Sequence, residues 1–222
     1  MKIALIGATG FVGSAILKEA LDRGREVVAI VRNPGTLTPH AKLHSKKGNV
    51  YNEDDVFRLV AGHDAVIMAF NPGWTNQDIY SQQVKGTDSI INGVKKARVK
   101  CLLFVGGAGS LEVMPGVQSV DMPDFPAEYK QGALATREAL NMLQQEMGLE
   151  WSFLSPSADL FPGQRTGKFR FGTDQAEECS GRKPNLGRRL CDGDDRRGGE
   201  AEAYPPELYC GLLNGTPGWL VE

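Results

Sequence analysis

The chain has 222 residues, 41% of them hydrophobic and 23% charged, the balance of a soluble globular domain. A formal net charge of −2 gives no electrostatic reason to expect nucleic acid or an anionic membrane as a partner. Its apolar runs are too short to span a bilayer, and His40, His44, His63 and the four cysteines lack metal-ligand spacing, so no metal is expected.

The opening run MKIALIGATG reads as a buried first strand over 2–7 and not as a signal peptide, because glycines stand where a cleavage region would fall. The cytoplasm is therefore the expected compartment. A helical pattern over 11–23 follows, then a strand over 26–32 and a weak strand over 42–48. A helix over 53–61, a strand over 65–70, a helix over 79–97 and a strand over 101–107 come next. The last two elements are a helix over 131–147 and a strand over 150–156. In 131–147, Leu134, Leu140, Leu143 and Met147 fall near helical spacing and leave Arg137, Glu138 and Gln144 to the polar side. Near-continuous apolar strands alternating with helices imply a parallel sheet covered on both faces. Right-handed crossovers then make a doubly wound, Rossmann-like α/β domain the economical solution, as a single domain over 1–174.

Within this pattern, IGATGFVGSAILKEAL places Gly7, Gly10 and Gly13 between the first strand and an amphipathic helix. Gly7 permits a tight turn, Gly10 lets backbone N–H groups approach a pyrophosphate, and Gly13 lets the helix pack close to the sheet. The helix N-terminus adds unpaired N–H donors and a positive dipole end. Thr9 and Ser14 are candidate hydroxyl donors. This order of strand, turn and helix predicts dinucleotide binding. The second strand ends AIVRNP, with Arg32 where NAD-preferring folds place an acid on the ribose 2′-hydroxyl. A guanidinium there pairs with a 2′-phosphate, so NADP(H) is expected over NAD(H).

GATGFVG, VRNP, AFNPGW and VGGAGSLEV, in that order, resemble the atypical short-chain dehydrogenase/reductase superfamily. Within it they are most similar to the small NmrA-like group of NADH-flavin reductases, also described as NAD-dependent epimerase/dehydratase-like. The resemblance runs over 1–174 and implies a role for particular residues. Gly7, Thr9, Gly10, Phe11, Val12 and Gly13 would hold the pyrophosphate, and Arg32 would face the adenosine ribose. Asn49 and Val50 would sit near the adenine, with Ala69, Phe70 and Asn71 along the cofactor. Gly106 and Gly107 would lie beside the nicotinamide, and Ser155 and Pro156 on the same rim. Trp74, Ser110 and Tyr129 are candidate walls of the substrate site, Ser110 and Tyr129 being also the weak candidates for catalysis.

Typical members of the superfamily protonate a carbonyl with the Tyr of Y-x-x-x-K. Here Tyr129 is followed four positions later by Ala133, and the alternative register gives Lys130 and Leu134. Neither yields the pair, so reduction of an alcohol or sugar carbonyl is poorly supported. Flavins and quinones delocalise incoming charge and take a proton from water, which favours a small acceptor of that type, flavin included as a substrate. The expected function is an NAD(P)H-dependent oxidoreductase. The alternatives are a dinucleotide-sensing regulatory module without turnover and, less favoured, a sugar-nucleotide epimerase or dehydratase. The sequence does not identify the oligomeric state.

After GTDQ the pattern breaks, and residues 175–222 mix glycine, arginine and acid without helical or strand periodicity. Family members continue through a helix opened by a motif like ISVEDYA. One permitted codon choice for Pro184–Asp195, read one base forward, spells RISVEDYAMAM. The expectation is an out-of-frame, irregular and poorly ordered tail from about Gln175, which the codons of the gene decide.

Overall fold

A computed structural model describes residues 1–156, 158 and 160. The expected break near Gln175 and the tail to Glu222 lie outside the described residues, as does the end of the domain expected over 1–174.

Six parallel strands form one sheet in the order β3-β2-β1-β4-β5-β8. They are β1 (Lys2–Ile6), β2 (Glu26–Val31), β3 (Leu43–Lys47), β4 (Ala65–Met68), β5 (Cys101–Val105) and β8 (Glu150–Leu154). Strand numbering skips to β8 because a short antiparallel hairpin, β6 (Glu112–Met114) with β7 (Val117–Gln118), lies between β5 and β8. The helices are α1 (Phe11–Asp22), α2 (Glu53–Val60), α3 (Ile79–Lys96) and α4 (Ala127–Gln144). The chain runs β1, β2, β3 to one side and then returns to place β4 on the other flank of β1. That reversal is the crevice-forming switch point of a doubly wound sheet.

The inner strands β1, β2, β4 and β5 are buried on both faces, which is why they read as apolar runs without alternation. Ala4, Ile6, Val66, Met68, Leu102 and Phe104 point to one face, where Val56 and Val60 of α2, Ile90 and Val94 of α3, and Ala139 and Leu143 of α4 cover them. Ile3, Leu5, Val27, Ala29, Ile67 and Leu103 point to the other, with Ile16, Leu17 and Ala20 of α1. β3, with LHSKK mostly exposed, is the polar edge strand, and charge on an edge discourages further pairing. Pro34, Gly35 and Pro39 keep the β2–β3 crossover out of an α-helix, leaving one 3₁₀ turn at Pro34–Thr36.

The fourth helix corrects the sequence expectation of 131–147. It starts at Ala127 behind Pro126, whose φ of −58° is suited to a helix start, and it ends at Gln144. The first turn, Ala127–Tyr129, is exposed, so its residues carry no apolar periodicity to reveal it. Met147, expected on the apolar stripe, lies beyond the helix and is 94% exposed. Ala135, Ala139 and Leu143 form the buried stripe instead. The β6–β7 hairpin, too short for a pattern, has no signal in the sequence.

Candidate functional site

The candidate site runs along the carboxyl ends of β1, β4, β5 and β8, and its tightest part is backbone. Gly7 closes β1 with φ +88°, and a Cβ there would overlap the Ala69 carbonyl oxygen at the end of β4. A Cβ on Gly13 would in turn overlap the Gly7 carbonyl oxygen. Ala69 N–H donates to the Ile6 carbonyl at 2.9 Å and Gly10 N–H to the Gly7 carbonyl at 3.0 Å, so the turn, α1 and the β4 end form one close-packed unit. Gly10 is different: its added Cβ would meet only the Gly7 carbonyl, at 3.4 Å, from an exposed position.

Gly10 is also the N-cap of α1, with no side-chain cap and no acid in the first turn. The N–H groups of Phe11, Val12 and Gly13 have no partner within the helix, and they carry the positive end of its dipole. Thr9 and Phe11 are exposed at this mouth. The Ser14 hydroxyl donates to the Phe11 carbonyl at 3.0 Å. Close backbone packing with an open, uncapped helix start fits an anionic pyrophosphate.

Arg32 extends, exposed, from the end of β2. Its charge reaches Tyr51, whose hydroxyl is held above its ordinary value chiefly by burial, with Arg32 opposing. Asn49 accepts from Tyr51 N–H at 3.1 Å through Oδ1, while its own N–H donates to Asp55 at 2.6 Å, so it shapes the loop. Val50 is half-buried against the core. Tyr51 meets the Phe70 ring edge-on at 5.8 Å and donates to Gln82 at 3.1 Å, and Asn76 donates to the same oxygen at 2.9 Å. The sequence reading missed Tyr51, Asn76 and Gln82. Asn71 fixes its own turn by accepting from Gly73 N–H at 2.7 Å.

Further along the rim, a Cβ on Gly106 would run into the Phe153 ring, whereas one on Gly107 would make ordinary contact, 3.5 Å, with Thr136. Gly106 N–H donates to the Leu154 carbonyl at 2.7 Å, which ties β5 to β8 beyond the strands proper. Ser110 is buried, its hydroxyl donating to the Gly107 carbonyl at 2.9 Å and lying 3.2 Å from the Ser155 hydroxyl. Pro156 is half-buried beside it. Trp74 and Tyr129 are 52% and 48% exposed, yet meet edge to face with centroids 5.5 Å apart. The Trp74 ring lies over Gly132, where any side chain would strike it. The rim thus presents an uncapped helix start beside the β1 end, a serine pair at β5–β8, and an exposed aromatic pair between the β4–α3 loop and α4.

Tyr129 sits in the first turn of α4, and the position one turn on is the buried Ala133. No lysine stands beside that hydroxyl at helical spacing.

The sequence profile of a family described as NAD(P)H-binding matches residues 7–183. That is most of the chain, and the chain belongs to this family. Among solved structures it is similar to one named a "putative epimerase" from Bacteroides thetaiotaomicron, 47% identical with a TM-score of 0.74, covering 79% of this chain and 80% of that one. A "putative exported protein" from Burkholderia pseudomallei is 42% identical with a TM-score of 0.71, covering 80% and 82%. A "putative NADH-flavin reductase" from Streptococcus pneumoniae is 33% identical with a TM-score of 0.69, covering 81% and 83%.

Proposed function

From membership of the NAD(P)H-binding family, we propose that this protein is an oxidoreductase that passes hydride from NADPH to a small flavin- or quinone-type acceptor. The observation that carries the reading is the pairing of two features on one rim: the uncapped α1 start packed against the β4 end, and an exposed aromatic pair facing the same edge. Phe11, Val12 and Gly13 would hold the pyrophosphate through their N–H groups. Arg32 would pair with the 2′-phosphate and make NADPH the preferred form. The rim between Gly106 and Ser155 would receive the nicotinamide, which supplies the hydride when bound. Trp74 and Tyr129 would flank a flat acceptor.

The acceptor class follows from what the described residues lack. A carbonyl reduced to an alcohol needs a proton delivered as charge builds, and Ala133 follows Tyr129 where the superfamily has its lysine. An acceptor that delocalises the charge and takes its proton from water fits this site better. The likeness to a protein named for NADH-flavin reduction points the same way. The same lack of a proton-donor pair is what a cofactor sensor without turnover would show, and it keeps that second reading in view.

The deciding experiment follows NADPH oxidation at 340 nm with FMN, FAD and small quinones. Turnover with at least one is expected. Tight NADPH binding without oxidation across the panel would leave the sensor. The proposed compartment is the cytoplasm. No helix among the described residues is long and apolar enough to cross a membrane.

A further inference from the structure

The loop between β4 and α3 carries Trp74 to the rim, and it is built from short turns. Asn71 Oδ1 accepts from Gly73 N–H at 2.7 Å, and Asn76 N–H donates to the Gly73 carbonyl at 3.0 Å. Gly73 has φ +114°, a conformation that favours glycine, and a Cβ added there would meet nothing within 4 Å. These bonds shape the loop without tying it to its neighbours. Trp74 follows this glycine directly and is half-exposed.

One side-chain cluster supplies the tie. Asn76 Oδ1 accepts from Asp78 N–H at 2.9 Å, and a backbone N–H can only donate. That fixes the orientation of the Asn76 amide, so its Nδ2 donates outward and meets Gln82 Oε1 at 2.9 Å. Gln82 accordingly presents its oxygen, which takes a second hydrogen bond from the Tyr51 hydroxyl at 3.1 Å. Burial holds that phenol above its ordinary value, so it remains protonated, and a donor, at neutral pH. Tyr51 is itself pinned, its N–H donating to Asn49 Oδ1 at 3.1 Å and its ring meeting Phe70 edge-on at 5.8 Å. One oxygen thus joins the β3–α2 loop, the β4–α3 loop and helix α3. Among the described residues, no other side chain of 70–78 is hydrogen-bonded outside that loop.

We propose that Gln82 is a positioning residue for the acceptor site: by receiving Asn76 and Tyr51 on one oxygen, it holds Trp74 edge-on to Tyr129. This rests on the reductase reading above, in which Trp74 flanks the acceptor, and adds the support that places the ring. Tyr51 follows Asn49 and Val50, the residues expected near the adenine, yet its hydroxyl serves the acceptor side. Loss of the tie therefore falls on acceptor KM and not on NADPH affinity.

The test compares the full chain with Gln82→Met, which removes the oxygen at similar length, and with Gln82→Glu, whose carboxylate accepts from both donors. A small para-benzoquinone serves as acceptor, because it carries no charge for the new carboxylate to repel. In Gln82→Met its KM is expected to rise about fivefold, with the NADPH dissociation constant within about twofold. Gln82→Glu is expected to hold that KM within about twofold, and Tyr51→Phe, which removes one donor of the two, to give an intermediate rise. On a Trp74→Ala background Gln82→Met is expected to add nothing, because the ring it places is gone. An unchanged KM in Gln82→Met, full additivity with Trp74→Ala, no rescue by glutamate, or an equal loss of NADPH affinity would overturn the assignment and leave the reductase reading intact. If the unaltered protein oxidises NADPH with neither flavins nor quinones, the reductase reading fails by itself. Acrylamide quenching of Trp74 fluorescence, taken as the difference from the matching Trp74→Phe protein, then decides on Gln82 alone. Stronger quenching in Gln82→Met, reversed in Gln82→Glu, supports the assignment, and equal quenching in all three refutes it.

Discussion

Replacing Gly13 by alanine adds one methyl group at the tightest point of the fold. An ideal Cβ there would overlap the Gly7 carbonyl oxygen and stand 2.8 Å from the Gly7 carbonyl carbon and 3.2 Å from Ala8 Cα. All three are backbone atoms, so no side chain can swing aside, and the start of α1 must retreat from the turn. Overpacking of this kind costs about 1–3 kcal/mol. Alanine returns up to about 1 kcal/mol in helix propensity. A direct overlap with backbone falls in the upper part of that range, about 2–3 kcal/mol, so the net loss is about 1–2 kcal/mol, which corresponds to a melting temperature lower by roughly 2–8 °C in a domain of this size. The same retreat moves the N–H groups of Phe11 and Val12 off the pyrophosphate, so NADPH affinity falls as well. Gly10→Ala is the matched control. Its Cβ would meet only the Gly7 carbonyl at 3.4 Å, with φ −75° that alanine adopts freely. Its melting temperature is expected to stay within about 2 °C, while NADPH binding weakens because the methyl stands at the open mouth. Thermal melts and a titration of NADPH fluorescence read both quantities. A Gly13→Ala protein that melts and binds like the unaltered chain would refute the close-packing argument.

Three further outcomes follow from single features. Arg32→Ser is expected to weaken NADPH about tenfold, some 1.4 kcal/mol, and to leave NADH within twofold; since Arg32 is exposed, the difference should shrink as salt is raised through 0.5 M, and a salt-independent change would count against a charge pair. Trp74→Ala removes an edge-to-face pair worth about 0.5–1.5 kcal/mol, so a small drop in melting temperature is expected together with a several-fold higher KM for a flat acceptor at unchanged NADPH affinity. His63 is buried with Nε2 unpaired, and its Nδ1 can only donate to the Val60 carbonyl, 2.9 Å away, so a proton added at Nε2 has no acceptor. Burial accordingly holds it below the ordinary 6.5, the unfolded chain takes the proton first, and stability falls as pH drops below about 6.5; His63→Leu should flatten that slope in denaturant melts, and an unchanged slope would assign it elsewhere.

The sheet was legible because burial on both faces removes alternation from every inner strand, leaving VVAIV and LLFV as unbroken apolar runs. The β1–α1 turn was legible because its glycines are close in sequence: Gly7, Gly10 and Gly13 recur at intervals of three between a strand and a helix, although the contact that demands Gly7, with Ala69 at the β4 end, is not local. The start of α4 was not, since an exposed first turn has no periodicity to read. Nor was the Tyr51–Gln82–Asn76 cluster, whose members are brought together by the β3–α2 loop and α3 from 31 positions apart. The burial of Gln83 was not legible either: in the sequence it is one of two adjacent glutamines, and only the packing of α3 separates the one bonded to Tyr51 from the one with 4% of its surface exposed.

That contrast divides the rim into two halves with different tolerance to change. The pyrophosphate half is made of main-chain atoms held by glycine contacts shorter than any side chain allows, so substitutions there disturb fold and cofactor together. The proposed acceptor half is made of side chains on separate supports: Trp74 on the β4–α3 loop and Tyr129 on α4. Trp74 and Tyr129 are about half exposed and meet each other edge to face, with the Trp74 ring over Gly132, so the fold is expected to lose little when they vary. On the proposed function, acceptor choice can therefore drift while NADPH binding stays fixed, and exchanging the residues at 74 and 129 together should move selectivity between acceptors without moving NADPH affinity. If any such exchange instead changed the affinity for NADPH as much as that for the acceptor, the two halves would have to be one site, and the division drawn from their construction would be wrong.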